Sequence, residues 1–157
     1  MSKRILSLFA AMAFALFAGA ASAQQLSLSQ ISAYLNQLQT AQGGFTQINA
    51  DGTISTGQIY IKRPGRIRFE YNAPSASLVM AGGGQLAIFD PRSNTGPDRY
   101  PLSQTPLSII LQADVDLERE SMVTNVATDG TTTTVTAQDP DNPNYGSIQM
   151  VFTANPI

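Results

Sequence analysis

Two hydrophobic periods divide the chain. Between residues 27 and 40, Leu28, Ile31, Leu35 and Leu38 recur at helical spacing against a face of Ser and Gln, and Ser27 with Gln30 has the spacing of a capping box. Gly43-Gly44 is expected to end this helix. Beyond it the period falls to two, and 45–49, 57–63, 66–71, 77–81, 85–90, 120–127, 131–137 and 147–153 read as strands. Asp51-Gly52, Gly82-Gly83-Gly84, Asp90-Pro91 and Asp129-Gly130 supply the tight turns between them. Short strands at hairpin spacing predict one antiparallel meander, strongly curved or partly closed, because a long flat sheet leaves exposed edges. A second helical piece, 105–112, interrupts it, with Thr105 at the cap and Pro106 at the first helical position. Leu107, Ile110 and Leu111 share one of its faces, an apolar stripe that should cover a face or an end of the sheet.

The first 23 residues have the form of a cleavable export signal. Lys3 and Arg4 give the positive start, 5–18 the apolar stretch and Ala21-Ser22-Ala23 the small-residue cleavage site, so the mature chain is expected to start at Gln24. The apolar stretch is shorter than the ~20 residues of a membrane span. The remaining 24–157 is long enough for one domain with a single core and too short for two ordinary ones. With no cysteine, stability beyond the inner membrane must come from packing alone.

Without Lys3 and Arg4, seven basic residues face eleven acidic ones, which argues against general nucleic-acid binding. Histidine, cysteine and tryptophan are all absent, excluding Ser-His-Asp and Cys-His centres and leaving no usual zinc ligand set. Asp114, Asp116, Glu118 and Glu120 would share one face of an extended segment, most simply a solvated one. The 139–146 stretch has a superficial likeness to a calcium loop. Pro143 stands where the fifth-position ligand belongs, and a proline-rich turn is the better reading. No general acid and base can be paired, and neither an enzyme nor a cofactor is expected. The basic cluster Lys62, Arg63, Arg66 and Arg68 is the remaining candidate. Alternation puts Arg66 and Arg68 on a solvated face. Arg63, held by Pro64 at its strand's end, is placed to donate to carbonyls of a neighbouring segment.

At these residues the chain resembles the periplasmic outer-membrane lipoprotein carriers, the LolA family. The matching pieces are the early helix, Phe45-Thr46-Gln47, Gly57 with Tyr60-Ile61-Lys62-Arg63-Pro64, Arg66-Ile67-Arg68-Phe69-Glu70-Tyr71, Leu78-Val79, the 86–91 segment and Thr105-Pro106-Leu107. The resemblance implies a mainly β fold, a curved antiparallel sheet forming an incomplete, half-open barrel with short lid helices over a hydrophobic cavity. It implies that Ile67, Phe69 and Tyr71 line the acyl-chain cavity, that Leu107, Ile109, Ile110 and Leu111 form the lid, and that Arg63 latches it. Phe69 stands where the family often has tryptophan and Ala87 where it often has an aromatic residue, changes expected to alter cavity size. Family members continue past Ile157 for several more strands, so 24–157 is read as one half-barrel domain that either lacks its C-terminal strands or forms an unusually open barrel. The implied function is that of a monomeric periplasmic carrier. It would take acylated lipoproteins from an inner-membrane ABC transporter and deliver them to an outer-membrane lipoprotein receptor. The alternative is a periplasmic sensor of lipid or lipoprotein on the same fold.

Overall fold

The computed structural model describes residues 25–154 and 157; the predicted export leader, 1–23, and its cleavage site lie outside the described residues. Helix α1 (Leu28–Gln37) opens with the capping box read from its sequence. Ser27 Oγ accepts the Gln30 N–H at 3.1 Å and Gln30 Oε1 accepts the Ser27 N–H at 2.9 Å. The helix stops before Thr40, and Gly43-Gly44 takes no part in ending it. Both glycines lie inside β1 (Thr40–Ile48), which pairs along its whole length with β2 (Ile54–Lys62), from Thr40 opposite Lys62 to Ile48 opposite Ile54. A continuous ladder pairs the backbone groups of β1 that face β2, which outweighs the local weakness of glycine in a strand.

Strands β3 (Arg66–Tyr71), β4 (Leu78–Gly82), β5 (Gln85–Phe89) and β6 (Asp98–Pro101) extend this sheet in chain order. The pattern of residues does not announce β6. Asp98-Arg99-Tyr100-Pro101 has no apolar alternation, and it pairs with β5 alone at the sheet's edge, where proline is tolerated. A 3-10 turn, Leu102–Gln104, leads to α2 (Leu107–Leu111). Thr105 does not cap α2. Its hydroxyl donates to Leu102 O at 2.9 Å, closing the preceding turn, and Pro106 occupies the cap position.

After α2 the chain starts a second sheet, β7 (Val123–Thr128), β8 (Thr132–Gln138) and β9 (Ser147–Thr153), in the order β7-β8-β9. The single meander expected from the sequence is thus two antiparallel sheets. The break has a physical cause: Val115 and Leu117, 2% and 1% exposed, turn in against α1 instead of prolonging a ladder. The acidic row from Asp114 to Glu120 falls in this connection and not along a strand. The 139–146 stretch is a turn, with Asp139 Oδ1 accepting from Asp141 N–H at 2.8 Å ahead of a 3-10 turn, Pro143–Tyr145. The architecture is mainly β, with open antiparallel sheets that do not close into a barrel and a few short helices, the incomplete barrel expected.

Two apolar cores result. One joins α1 to the second sheet through Ile31, Leu35, Val115, Leu117, Val135 and Ala137. The other lies on the inner face of the six-stranded sheet around Ile67, Val79, Ala81, Leu86, Leu102 and Leu111. On that inner face Gly57 sits opposite both Phe45 and Tyr71. A Cβ there would lie 2.1 Å from Glu70 O and 2.6 Å from Phe45 Cε1, so the missing side chain is the seat of the Phe45 ring. Gly57→Ala should cost ~1–3 kcal/mol of stability, read as a lower denaturation midpoint. Gly43→Ala, where a Cβ meets nothing within 4 Å, should be close to neutral; equal effects would refute the seat.

Asp129 organises the β7–β8 turn by accepting N–H bonds from Thr132 at 2.6 Å and Thr131 at 2.8 Å. The Thr132 N–H contributes most, followed by that of Thr131, to holding its carboxyl below the usual carboxylate range. A group whose pKa is lower folded than unfolded stabilises the fold above its unfolded value of ~3.9. That contribution disappears as pH falls through the folded value. Wild type should therefore melt higher than Asp129→Asn at pH 7, with the gap narrowing below about pH 4, as followed by circular dichroism.

Candidate functional site

Alternation along β3 puts Ile67, Phe69 and Tyr71 on the inner face. Their cross-strand partners are Ile61, Ile59 and Gly57 on β2, and Ile67 and Phe69 face Ala81 and Val79 on β4. The three residues share a face but meet different surroundings. Ile67 is buried beneath α2 in the cluster that contains Leu111. Phe69 is half-buried and meets the Phe45 ring edge-to-face at 5.1 Å. Tyr71 also packs edge-to-face on Phe45, at 4.9 Å, and its hydroxyl donates to Gln47 Oε1. Burial raises the pKa of that phenol, keeping it a neutral donor. Ala87 pairs with Met80, on the face away from this core, so its small size does not enlarge the inner space.

Tyr71 also lines a cleft of about 530 Å³ with Val79 and Ile88, rimmed by polar groups that include Gln47, Ser77 and Arg92. That volume is within the ~300–1,000 Å³ of ligand pockets. Of the three residues predicted to line a cavity, Tyr71 alone borders this cleft. Ile67 and Phe69 lie further along the same face, towards α2.

α2 is wedged between the two cores. Leu111, 1% exposed, points into the core on the inner face, with Leu107 packed against it. Ile109, also 1% exposed, points the other way, into the core shared with α1, and Ile110 touches both. In a helix this short, side chains two apart point to opposite sides, and that splits the apolar residues between the cores.

The turn between β2 and β3 holds the C-terminal end of α2 by two bonds. Arg63 Nη2 donates to Gln112 O at 2.7 Å, and the Gly65 N–H donates to Leu111 O at 2.7 Å. Gly65 has φ +73°, a conformation suited to glycine that aims its N–H at the helix. With the Leu111 carbonyl taken in this way, the guanidinium bonds the residue just after α2. Arg63 is 7% exposed and also reaches Leu38 O through Nη1 at 3.4 Å and Asn36 Oδ1 through Nη2 at 3.3 Å. Its Nε has no hydrogen-bond partner among the described residues. Burial lowers the pKa of the guanidinium and the nearby Asp114 charge opposes that shift. The other basic residues of the cluster diverge from it. Lys62, Arg66 and Arg68 are exposed, and Arg68 pairs with Glu70 at 2.5 Å.

Sequence reasoning passed over Asn36, Gly65 and Gln112, which complete this arrangement. Only Gly65, next to a proline in a turn, carried a recognisable signal. The other two act through contacts 27 and 49 residues away from Arg63 in the chain.

No helix among the described residues is long and apolar enough to cross a membrane, and no group of three or more carboxylates is placed to hold a metal ion. Twenty-two curated proteins resemble this chain significantly, and several carry the same description. An outer-membrane lipoprotein carrier protein of Coxiella burnetii is 30% identical over 115 residues, covering 68% of this chain and 54% of its own. One from Cupriavidus taiwanensis is 30% identical over 137 residues, covering 80% and 64%. One from Azotobacter vinelandii is 32% identical over 89 residues, covering 54% and 42%. The chain thus spans roughly half of the length of the curated relatives it matches. The family model for the outer membrane lipoprotein carrier protein LolA matches residues 36–157, and the chain belongs to the LolA family.

Proposed function

We propose that this protein is a non-enzymatic periplasmic carrier that shelters the acyl chains of lipoproteins, accepting them from an inner-membrane ABC transporter and releasing them to an outer-membrane receptor. The observation that carries the reading is α2. It is a short apolar helix lying on the inner face of an open sheet, held by a few side chains divided between two cores and fastened at its C-terminal end by Arg63 and Gly65. In this reading α2 is the lid, Arg63 the latch, and the inner face from Ile67 through Phe69 to Tyr71 the surface that acyl chains occupy once the lid lifts.

Magnitudes support a lid that stays shut when empty and opens for cargo. Withdrawing Ile109 and Leu111 exposes two fully buried side chains at ~1.5–3 kcal/mol each, and the charge-assisted bond adds ~1.5–3 kcal/mol. Opening then costs about 5–9 kcal/mol in all. Each methylene sheltered returns ~0.8 kcal/mol, so roughly six to eleven methylenes offset it and one long acyl chain suffices. Cargo held against a lid that favours closing is bound less tightly than the buried area alone would give, which favours onward release.

Phe69→Ala should weaken binding of a fluorescent fatty-acid probe several-fold while costing less than the ~3–5 kcal/mol of a filled core. Probe titration and chemical denaturation on the same samples check it, and a large stability loss with unchanged probe binding would favour a packed core. Arg63→Leu should fold and accept lipoprotein but fail to pass it on, because loss of the latch destabilises the closed form and shifts the lid towards the open, cargo-holding one. Arg63→Lys should recover part of the transfer, since an ammonium lacks the planar fork. Arg66→Leu, on the exposed face, should transfer normally. Reconstituted transfer from transporter vesicles to purified receptor reads all three. Normal delivery by Arg63→Leu, or equal failure of Arg66→Leu, would overturn the latch, and binding without any onward transfer by wild type would point to a sensor.

A further inference from the structure

The segment after α2 is held by side chains of α1. Asn36 Oδ1 accepts the Val115 N–H at 2.8 Å, and Asn36 Nδ2 donates to Val115 O at 2.9 Å. One helical turn earlier, Ser32 Oγ accepts the Leu117 N–H at 3.0 Å while donating to Leu28 O at 2.7 Å. The i, i+4 spacing sets both side chains on one face of α1. Val115 and Leu117 are buried beside them. Between this clamp and the Arg63 bond at Gln112 lie Ala113 and Asp114, both exposed, in bends, and without a backbone–backbone hydrogen bond among the described residues; Asp114 is tied only through its side chain, whose Oδ1 accepts from Asn36 Nδ2 at 3.4 Å. At the other end the Leu102 N–H donates to Gly84 O at 2.9 Å, so α2 is suspended between two fixed points.

We propose that Asn36 is the positioning residue of the latch: by fixing Val115 it makes Ala113–Asp114 the hinge on which α2 opens, and it holds Gln112 O against the Arg63 guanidinium. This rests on reading α2 as a cover that moves. Asn36 is suited to the task because its amide supplies an acceptor for the Val115 N–H and for Arg63 Nη2 together with a donor for Val115 O. Aspartate keeps the acceptors but replaces the donor by an oxygen set against Val115 O and Asp114 Oδ1; alanine loses both. Opening then withdraws Ile109 from the core it shares with α1 but leaves Val115 and Leu117 in place.

Amide hydrogen exchange on the empty protein tests the proposal without any delivery step, so a failure of the carrier reading would not be mistaken for a failure of the hinge. In Arg63→Leu the Gln112 and Gly65 amides should exchange roughly tenfold faster or more, while Val115 and Leu117 keep wild-type protection. In Asn36→Ala the Val115, Gln112 and Gly65 amides should all speed up. Asn36→Asp, which keeps the acceptors for the Val115 N–H and for Arg63, should restore part of the protection at Val115 and Gln112, a rescue that loss of general packing would not give. The double variant should exchange at Gln112 no faster than Arg63→Leu alone. Val115 and Leu117 losing protection together with Gln112 in Arg63→Leu would overturn the hinge, and this arm stands even if Asn36→Ala does not fold. Wild-type protection at Gln112 in Asn36→Ala would overturn the positioning role.

Discussion

A buried arginine is the constraint around which the molecule is arranged. Arg63 places a charge inside the protein where carbonyls and an amide oxygen must stand in for water, and those groups come from the end of α1, from Asn36 and from the end of α2. Desolvating an ion without such partners costs several kcal/mol. Satisfying this one therefore requires that the β2–β3 turn, α1 and the segment after α2 converge. The convergence also brings Gly65 against Leu111.

The division of apolar residues on α2 has a second consequence. Because Leu111 and Ile109 enter different cores, the short helix is held by both and belongs wholly to neither. An isolated helix of this length has no stability of its own in water, so its position is set by these two anchors and by the bonds at its C-terminal end. The inner face beneath it grades from the sealed region around Ile67 to the cleft beside Tyr71. That gradation lets one sheet serve both as a packed core and as an accessible surface.

Local rules were readable in the chain wherever a few neighbouring residues decide the outcome. The capping box at Ser27 and Gln30, the bounds of β3, the stripe of Leu107, Ile110 and Leu111, and the Asp129 turn are all found in the structure. Arg63 could be singled out because proline and the end of a strand limit where its side chain can go. The errors share a cause. Gly43 and Gly44 signal a helix stop, whereas β2 recruits them into a ladder, and the run of strands signals one meander, whereas Val115 and Leu117 turn in against α1 and divide it into two sheets. In each case a distant partner overrode a local preference.

What the sequence determined by itself was the period of each segment, and with it the β class, the inward set on β3 and the amphipathic character of both helices. These follow from the backbone geometry of strand and helix, which needs no knowledge of neighbours. Tertiary structure alone decided that the strands divide into two sheets, that α2 sits between two cores, and that Asn36, Gly65 and Gln112 gather around Arg63. Those outcomes depend on which buried polar groups can find partners across long stretches of chain. That is settled only when the whole set of contacts forms together.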